Sequence, residues 1–323
     1  MFFLIFGVVA YWLALVAWTV WRLTHPPRRT FGVALAQGRP TDPSKLISSG
    51  GVPREFDSWS IRVDGCELPV WDVRGDAADG PVLILTHGWG DSRLGGLSRA
   101  HALLPVVSRC VLWDMPGHGD AEGTSALGMK EVAALRVLIE RIIERNGPDA
   151  KIVLFGWSLG AGVSLAAGVW MASHLREKLL GVVAESPYRV PWTPARAVFS
   201  MQGLPTRGSL VPALWVIGLM NRAGLNFASG RGPAASDVEL AREIGEFDRA
   251  SISKKLAAKG VPVLVLHGTD DTTCPIADGE AIATSAKGKF VAIDGAGHFG
   301  LWTDPRFAEQ SASAVREWML TGV

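Results

Sequence analysis

Ser158 stands in Gly156-Trp157-Ser158-Leu159-Gly160, a G-x-S-x-G that follows the short apolar run 152–155. At a strand-to-helix junction the flanking glycines relieve crowding in a tight turn that holds the serine outward. The small run Gly160-Ala161-Gly162 lets the following helix pack closely on a sheet, which favours a nucleophile over a serine that only caps that helix. A hydroxyl at neutral pH needs a base, and the base needs a third group to orient it and stabilise its charge. Both partners occur downstream. The run 263–266 leads into His267-Gly268-Thr269-Asp270-Asp271, and the run 290–293 leads into Asp294-Gly295-Ala296-Gly297-His298. The order is serine, acid, histidine, with His298 as the base and Asp270 or Asp271 as the acid. Such a constellation transfers acyl groups to water.

Other chemistries lack their residues. There is no H-E-x-x-H or C-x-x-C for a metal and no Walker-type phosphate loop, and Gly156 to Gly162 gives no G-x-G-x-x-G for a dinucleotide. We expect no metal and no cofactor. Cys66, Cys110 and Cys274 are too few and too scattered for a disulfide framework, which favours a reducing compartment. Cys274 reads as a small loop or core residue. With 32 Lys and Arg against 31 Asp and Glu, the formal charge is +1, so no net field exists to hold a nucleic acid. The 48% hydrophobic and 20% charged content, with a mean hydropathy of +0.22, excludes a disordered chain and suggests that some apolar surface meets lipid.

The elements that must position these groups alternate. Six short apolar runs, at 82–85, 110–113, 152–155, 180–184, 263–266 and 290–293, read as buried parallel strands. Between two of them, residues 129–145 place Val132, Leu135, Leu138, Ile139 and Ile142 on one helical face. This predicts an α/β fold with a mostly parallel, doubly wound sheet, preceded by a hairpin turning at Asp64-Gly65. Ligands then collect beyond the carboxyl ends of the strands, where the serine, acid and histidine fall. Between about 188 and 247, prolines punctuate apolar stretches such as 213–220, which we read as a small helical cap.

Residues 2–21 carry no charge, and twenty helical residues span roughly the 30 Å hydrocarbon core. The start lacks the basic residues of a cleaved signal peptide, so residues 1–24 are expected to be a retained transmembrane anchor. Arg22, Arg28 and Arg29 follow the span, and the positive-inside rule then puts the body in the cytoplasm. Residues 25–54, rich in proline and glycine, form the expected linker with little regular structure, and 55–323 the expected catalytic domain.

The chain over roughly 55–323 resembles the α/β-hydrolase superfamily. The resemblance rests on the nucleophile elbow, Thr86-His87-Gly88-Trp89-Gly90-Asp91, Asp114-Met115-Pro116-Gly117-His118-Gly119, and His267-Gly268-Thr269-Asp270-Asp271 with Pro275. It is similar to the lipase, peptidase and depalmitoylase-like branch, whose H-G-x-x-D-x-x-x-P motif implies Asp271 as the acid and leaves Asp270 in the turn. It implies an oxyanion hole from the backbone N–H groups of Leu159 and Trp89. His87 and His118 then serve structure and Asp114 ties its loop together, while Arg93 either touches substrate or, by default, is a solvated residue. The implied activity is that of a serine esterase or thioesterase acting on a small or lipid-like acyl substrate, with no cofactor. A peptidase of the same fold would use identical residues, a haloperoxidase-like side reaction is a further possibility, and a non-catalytic membrane-tethered binding module would more often lack a triad member. Trp89, Trp157 and Trp302 flank the site in sequence and are candidates for an apolar acyl pocket or for plain core.

Overall fold

The computed structural model describes residues 2–36, 40–48, 50–147, 149–204, 208–222 and 248–322. Eight strands form one sheet in the order β1-β2-β4-β3-β5-β6-β7-β8. The hairpin is β1 (Phe56–Val63) and β2 (Cys66–Arg74), antiparallel. Its turn takes left-handed backbone at both Asp64 (φ 52) and Gly65 (φ 82), as a two-residue hairpin loop requires. β2 pairs antiparallel with β4 (Arg109–Trp113). From there β3 (Val82–Thr86), β5 (Ile152–Trp157), β6 (Leu179–Glu185), β7 (Val263–Gly268) and β8 (Lys289–Ile293) continue in parallel. The six predicted runs are these six strands.

Parallel strands covered on both faces are apolar throughout, and β3, β5 and β7 are buried along their whole length. One face packs α4 (Met129–Asn146), α5 (Leu159–His174), α8 (Arg249–Ala258) and α9 (Ile276–Ala286). The other face packs α3 (Leu97–Leu103) and α10 (Pro305–Thr321). Gly168 admits this close helix-on-sheet contact, since a Cβ there would meet Val182 at 2.8 Å.

Above the carboxyl ends lie α6 (Trp192–Met201) and α7 (Leu210–Arg222), within the stretch expected as a cap. Residues 205–207 and 223–247 of that stretch fall outside the described residues. The N-terminal helix α1 (Phe2–Thr24) is long and apolar enough to cross a membrane, and it packs against α7 through Val16, Leu23, Leu210, Ala213 and Ile217. The segment after it is more ordered than expected. It carries a helix, α2 (Phe31–Ala36), and a 3₁₀ turn at Pro43–Lys45. Asp42 caps that turn by accepting the Ser44 N–H at 2.9 Å, and α2 buries Ala34. Six residues are too few for helical periodicity to register in a sequence.

Candidate active site

β5 ends at Trp157 and α5 begins at Leu159, which leaves Ser158 alone in the bend with φ 55 and ψ −115. A non-glycine residue in this region carries backbone strain of about 1–3 kcal/mol, held by its surroundings. Those surroundings are tight. A Cβ at Gly156 would lie 2.0 Å from the Gly160 carbonyl oxygen, and one at Gly160 would lie 2.1 Å from that of Thr86. The Ser158 side chain makes no capping bond to α5, so the turn presents a hydroxyl that the helix does not use.

The acid and the imidazole come from the ends of adjacent strands. Asp271, in the turn after β7, is buried. Its Oδ1 accepts the backbone N–H groups of Thr273 (2.9 Å) and Cys274 (2.7 Å). Its Oδ2 lies 2.7 Å from His298 Nδ1, which fixes the imidazole with Nε2 free for another partner. Asp270 is exposed and, among the described residues, its carboxylate takes only the Thr269 hydroxyl at 3.3 Å. The structure therefore brings Asp271, and not Asp270, to His298. Burial alone would raise the Asp271 carboxyl, but hydrogen bonds from His267, His298 and the Cys274 amide outweigh it and hold the group well below the usual carboxylate range.

On the opposite side of Ser158 runs the loop after β3. A Cβ on Gly88 would sit 3.3 Å from that of Ser158, so this loop abuts the serine. Leu159 is the first residue of α5, and its N–H has no partner within the helix. Among the described residues, neither the Trp89 nor the Leu159 amide donates to a protein acceptor. The loop itself is held from the N-terminus. Trp89 Nε1 donates to the Leu23 carbonyl at 3.0 Å, Arg29 pairs with Asp91 at 2.7 Å, and the Ser92 hydroxyl donates to the Arg29 carbonyl at 3.0 Å.

The supporting residues take structural positions. His87 Nε2 accepts the Met115 N–H at 2.9 Å, and burial pushes this imidazole down to about 4. Burial likewise pushes His118 down to about 3, so both rings are neutral at physiological pH. Asp114 accepts the N–H groups of Arg93 (2.7 Å) and Asp120 (2.9 Å) and closes its loop; burial pushes it up to about 6. Arg93 is not solvated as the default expectation had it. It is committed to Asp114 and Asp120, with its guanidinium 4.4 Å from the Trp71 ring centroid. The anchoring carboxylates lie at sequence distances that give no local signal.

A cavity of about 650 Å³ opens onto Ser158 and His298, and Trp89, Trp157, Leu159 and Trp302 all line it. Leu23, Arg29, Ala34 and Pro40 line it too, so the N-terminal segment forms part of the site. Two further features were not visible in the sequence. Glu185, at the end of β6, pairs with Arg99 and accepts Trp302 Nε1 at 2.7 Å, while Arg99 stacks 4.0 Å over the Trp157 ring. This buried network ties α3, β6 and the segment after His298 into one wall. Cys274 is buried, as expected, but its thiol stands within 4.8 Å of ligand atoms on Asp271 and His298. Such a trio could hold a metal by spacing alone, yet Asp271 and His298 already bond each other.

Residues 83–310 match the alpha/beta hydrolase family. The chain belongs to that family. Among curated proteins it is 28% identical over 271 residues to the biotin biosynthesis bifunctional protein BioHC of Cellvibrio japonicus, covering 75% of this chain and 48% of that one. It is 30% identical over 123 residues to a pimeloyl-[acyl-carrier protein] methyl ester esterase of Proteus mirabilis, covering 36% and 40%. The chain thus spans half or less of the length of these relatives. The fold is shared with an esterase of Pyrococcus furiosus at TM-score 0.63 and 18% identity, over 93% of this chain and 98% of that one. It is shared also with a membrane phospholipase A at TM-score 0.55 and 18% identity, over 100% and 99%.

Proposed function

We propose that this alpha/beta hydrolase is a serine esterase or thioesterase, held at a membrane by α1, that acts on a small or lipid-like acyl substrate. The observation that carries the reading is the placement of Ser158, the Asp271–His298 pair and two undonated amides around one cavity. In this mechanism Ser158 Oγ attacks the acyl carbonyl while His298 Nε2 takes its proton, and Asp271 stabilises the imidazolium. The oxyanion is received by the Trp89 and Leu159 amides, each worth about 3 kcal/mol in such a site. His298 then protonates the leaving alcohol or thiol, and water activated by the same imidazole releases the acid. The ester-cleaving relatives support this reaction class, and the tryptophan-lined cavity supports an apolar acyl group.

The anchor belongs to the same reading. The α1 helix is apolar and largely exposed, and Arg22, Arg28 and Arg29 on its body side favour a cytoplasmic domain. A tag after the last residue should be resistant to protease on intact cells; digestion from outside would reverse the orientation.

The catalytic proposal is tested with a panel of p-nitrophenyl esters, acyl thioesters and aminoacyl amides. Turnover of esters and thioesters is expected, with Ser158→Ala lowering kcat by several powers of ten. An unchanged rate in that variant would remove Ser158 from the chemistry, and preferential amide cleavage would make the protein a peptidase.

A further inference from the structure

The helix α7 accompanies α1 outward from the body. Its beginning meets α1 at Trp12, whose Nε1 donates to the Gly208 carbonyl at 2.8 Å. Its end returns to the body, where Asn221 Nδ2 donates to the Ala126 carbonyl at 2.9 Å. Trp12 lies twelve residues before the end of α1 at Thr24, about 18 Å along the axis at 1.5 Å per residue. A bilayer that takes up the apolar length of α1 therefore reaches α7 as well, because the start of α7 lies beside the middle of that length.

The composition of α7 agrees. From Leu210 to Met220 it carries no charged residue, and Arg222 stands at its last position, at the body end. One face packs on α1 through Leu210, Ala213 and Ile217. The outer face repeats every four residues as Val211, Trp215 and Leu219, which are 59%, 68% and 44% exposed. In water this stripe would be an uncovered apolar surface. The α1 helix that it packs against also exposes apolar side chains, including Leu13 and Trp18, so one occupant serves both.

We propose that α7 is embedded in the lipid beside α1, which makes this helix a membrane-buried element packed on the wall of the active-site cavity. The inference rests on the reading of α1 as a membrane helix and extends it. Phe199 of α6 joins the two sides, since it packs in the cluster with α1 and α7 and also lines the cavity with Leu23. The wall of the acyl cavity is therefore one layer from hydrocarbon, and the substrate class this favours is an acyl ester resident in the bilayer.

The test uses the full chain in vesicles of phosphatidylethanolamine and phosphatidylglycerol. In a Cys66→Ser background, where Cys110 and Cys274 are buried, single Leu4→Cys, Trp215→Cys and Glu144→Cys proteins carry an environment-sensitive fluorophore. Quenching by spin-labelled lipid tails is expected to be roughly threefold or more stronger at positions 215 and 4 than at the exposed Glu144 position, as for side chains below the headgroups. Quenching at 4 with none at 215 would overturn the inference and leave the anchor. Quenching at neither would overturn both. A second variant, Trp215→Glu, is expected to lose about tenfold or more in kcat/KM on a vesicle-borne acyl ester while hydrolysing a soluble p-nitrophenyl ester at the parent rate, since burying the charge in lipid is costly. Parent rates on both substrates would overturn the membrane-buried helix, and failure on the soluble ester in the parent protein would count against the esterase reading instead.

Discussion

The two flanks of Ser158 are built in different ways. On the acid–base flank, Asp271 and His298 come from turns after neighbouring strands β7 and β8, and the carboxylate is held by amides two and three residues further along. On the oxyanion flank, the loop 88–92 depends on partners more than sixty residues away, at Leu23 and Arg29. The first flank is self-contained within the family domain, whereas the second borrows from a segment that precedes the matched residues 83–310. On the proposed mechanism the triad is thus local, while the loop that would stabilise the transition state is held by the segment at Leu23 and Arg29.

The largest effect tests the local flank. Asp271→Asn should lower kcat by about 10⁴, because the amide disturbs the tautomer and charge of the partnered imidazole. Asp270→Asn should change the rate little, as its carboxylate meets only Thr269 among the described residues. Steady-state kinetics of the two variants on one ester would reverse the assignment if Asp270→Asn were the more damaging.

This distinction shows what the sequence carries. The placement of Ser158, Asp271 and His298 at one end of the sheet was legible because each follows an apolar strand within a few residues, and strand ends converge in a parallel sheet. The choice between adjacent aspartates came from a family motif, since composition and spacing treat them alike. The roles of Leu23, Arg29 and Ala34 at the cavity were hidden, because nothing near them in the chain marks a tertiary contact. The same holds for Arg99 and Glu185, an ion pair across 86 residues. Helix α7 was visible only as an apolar stretch. Its alignment with α1 follows from packing, which hydropathy does not encode.

A smaller effect separates the flanks by pH. His87 and His118 lie under the oxyanion loop with ring centroids 5.0 Å apart, and burial pushes them down to about 4 and about 3. Below about pH 6.5 the unfolded chain binds protons that these rings refuse, so their contribution to stability falls as pH falls. Asp114, pushed up to about 6, works the other way, since the folded carboxyl takes up its proton first. Two groups against one leave a net loss of about 2 kcal/mol between pH 6.5 and 5. Asp271 is depressed, so its contribution is complete above about pH 4 and is lost only as pH falls further. Urea unfolding at the two pH values should show the loss, and His118→Gln should reduce it by more than half. A loss unchanged in that variant, or abolished by Asp271→Asn, would place the acid sensitivity on the wrong flank.

The smallest effect probes the borrowed contact alone. Trp89→Phe keeps an aromatic ring at the cavity but removes the bond to the Leu23 carbonyl, worth about 1 kcal/mol. We expect kcat on a soluble ester to fall about fivefold with KM little changed, the signature of a displaced oxyanion donor. A change confined to KM would make Trp89 a pocket wall and nothing more.

The central claim is that both flanks converge on one reacting atom at Ser158. A crystal structure of the protein after reaction with a fluorophosphonate tests it most directly. The account predicts phosphorus bonded to Ser158 Oγ, and a phosphoryl oxygen about 2.7–3.1 Å from the amide nitrogens of both Trp89 and Leu159. His298 should remain on Asp271. Phosphorylation of another residue, or an oxygen directed away from those two amides, would contradict it.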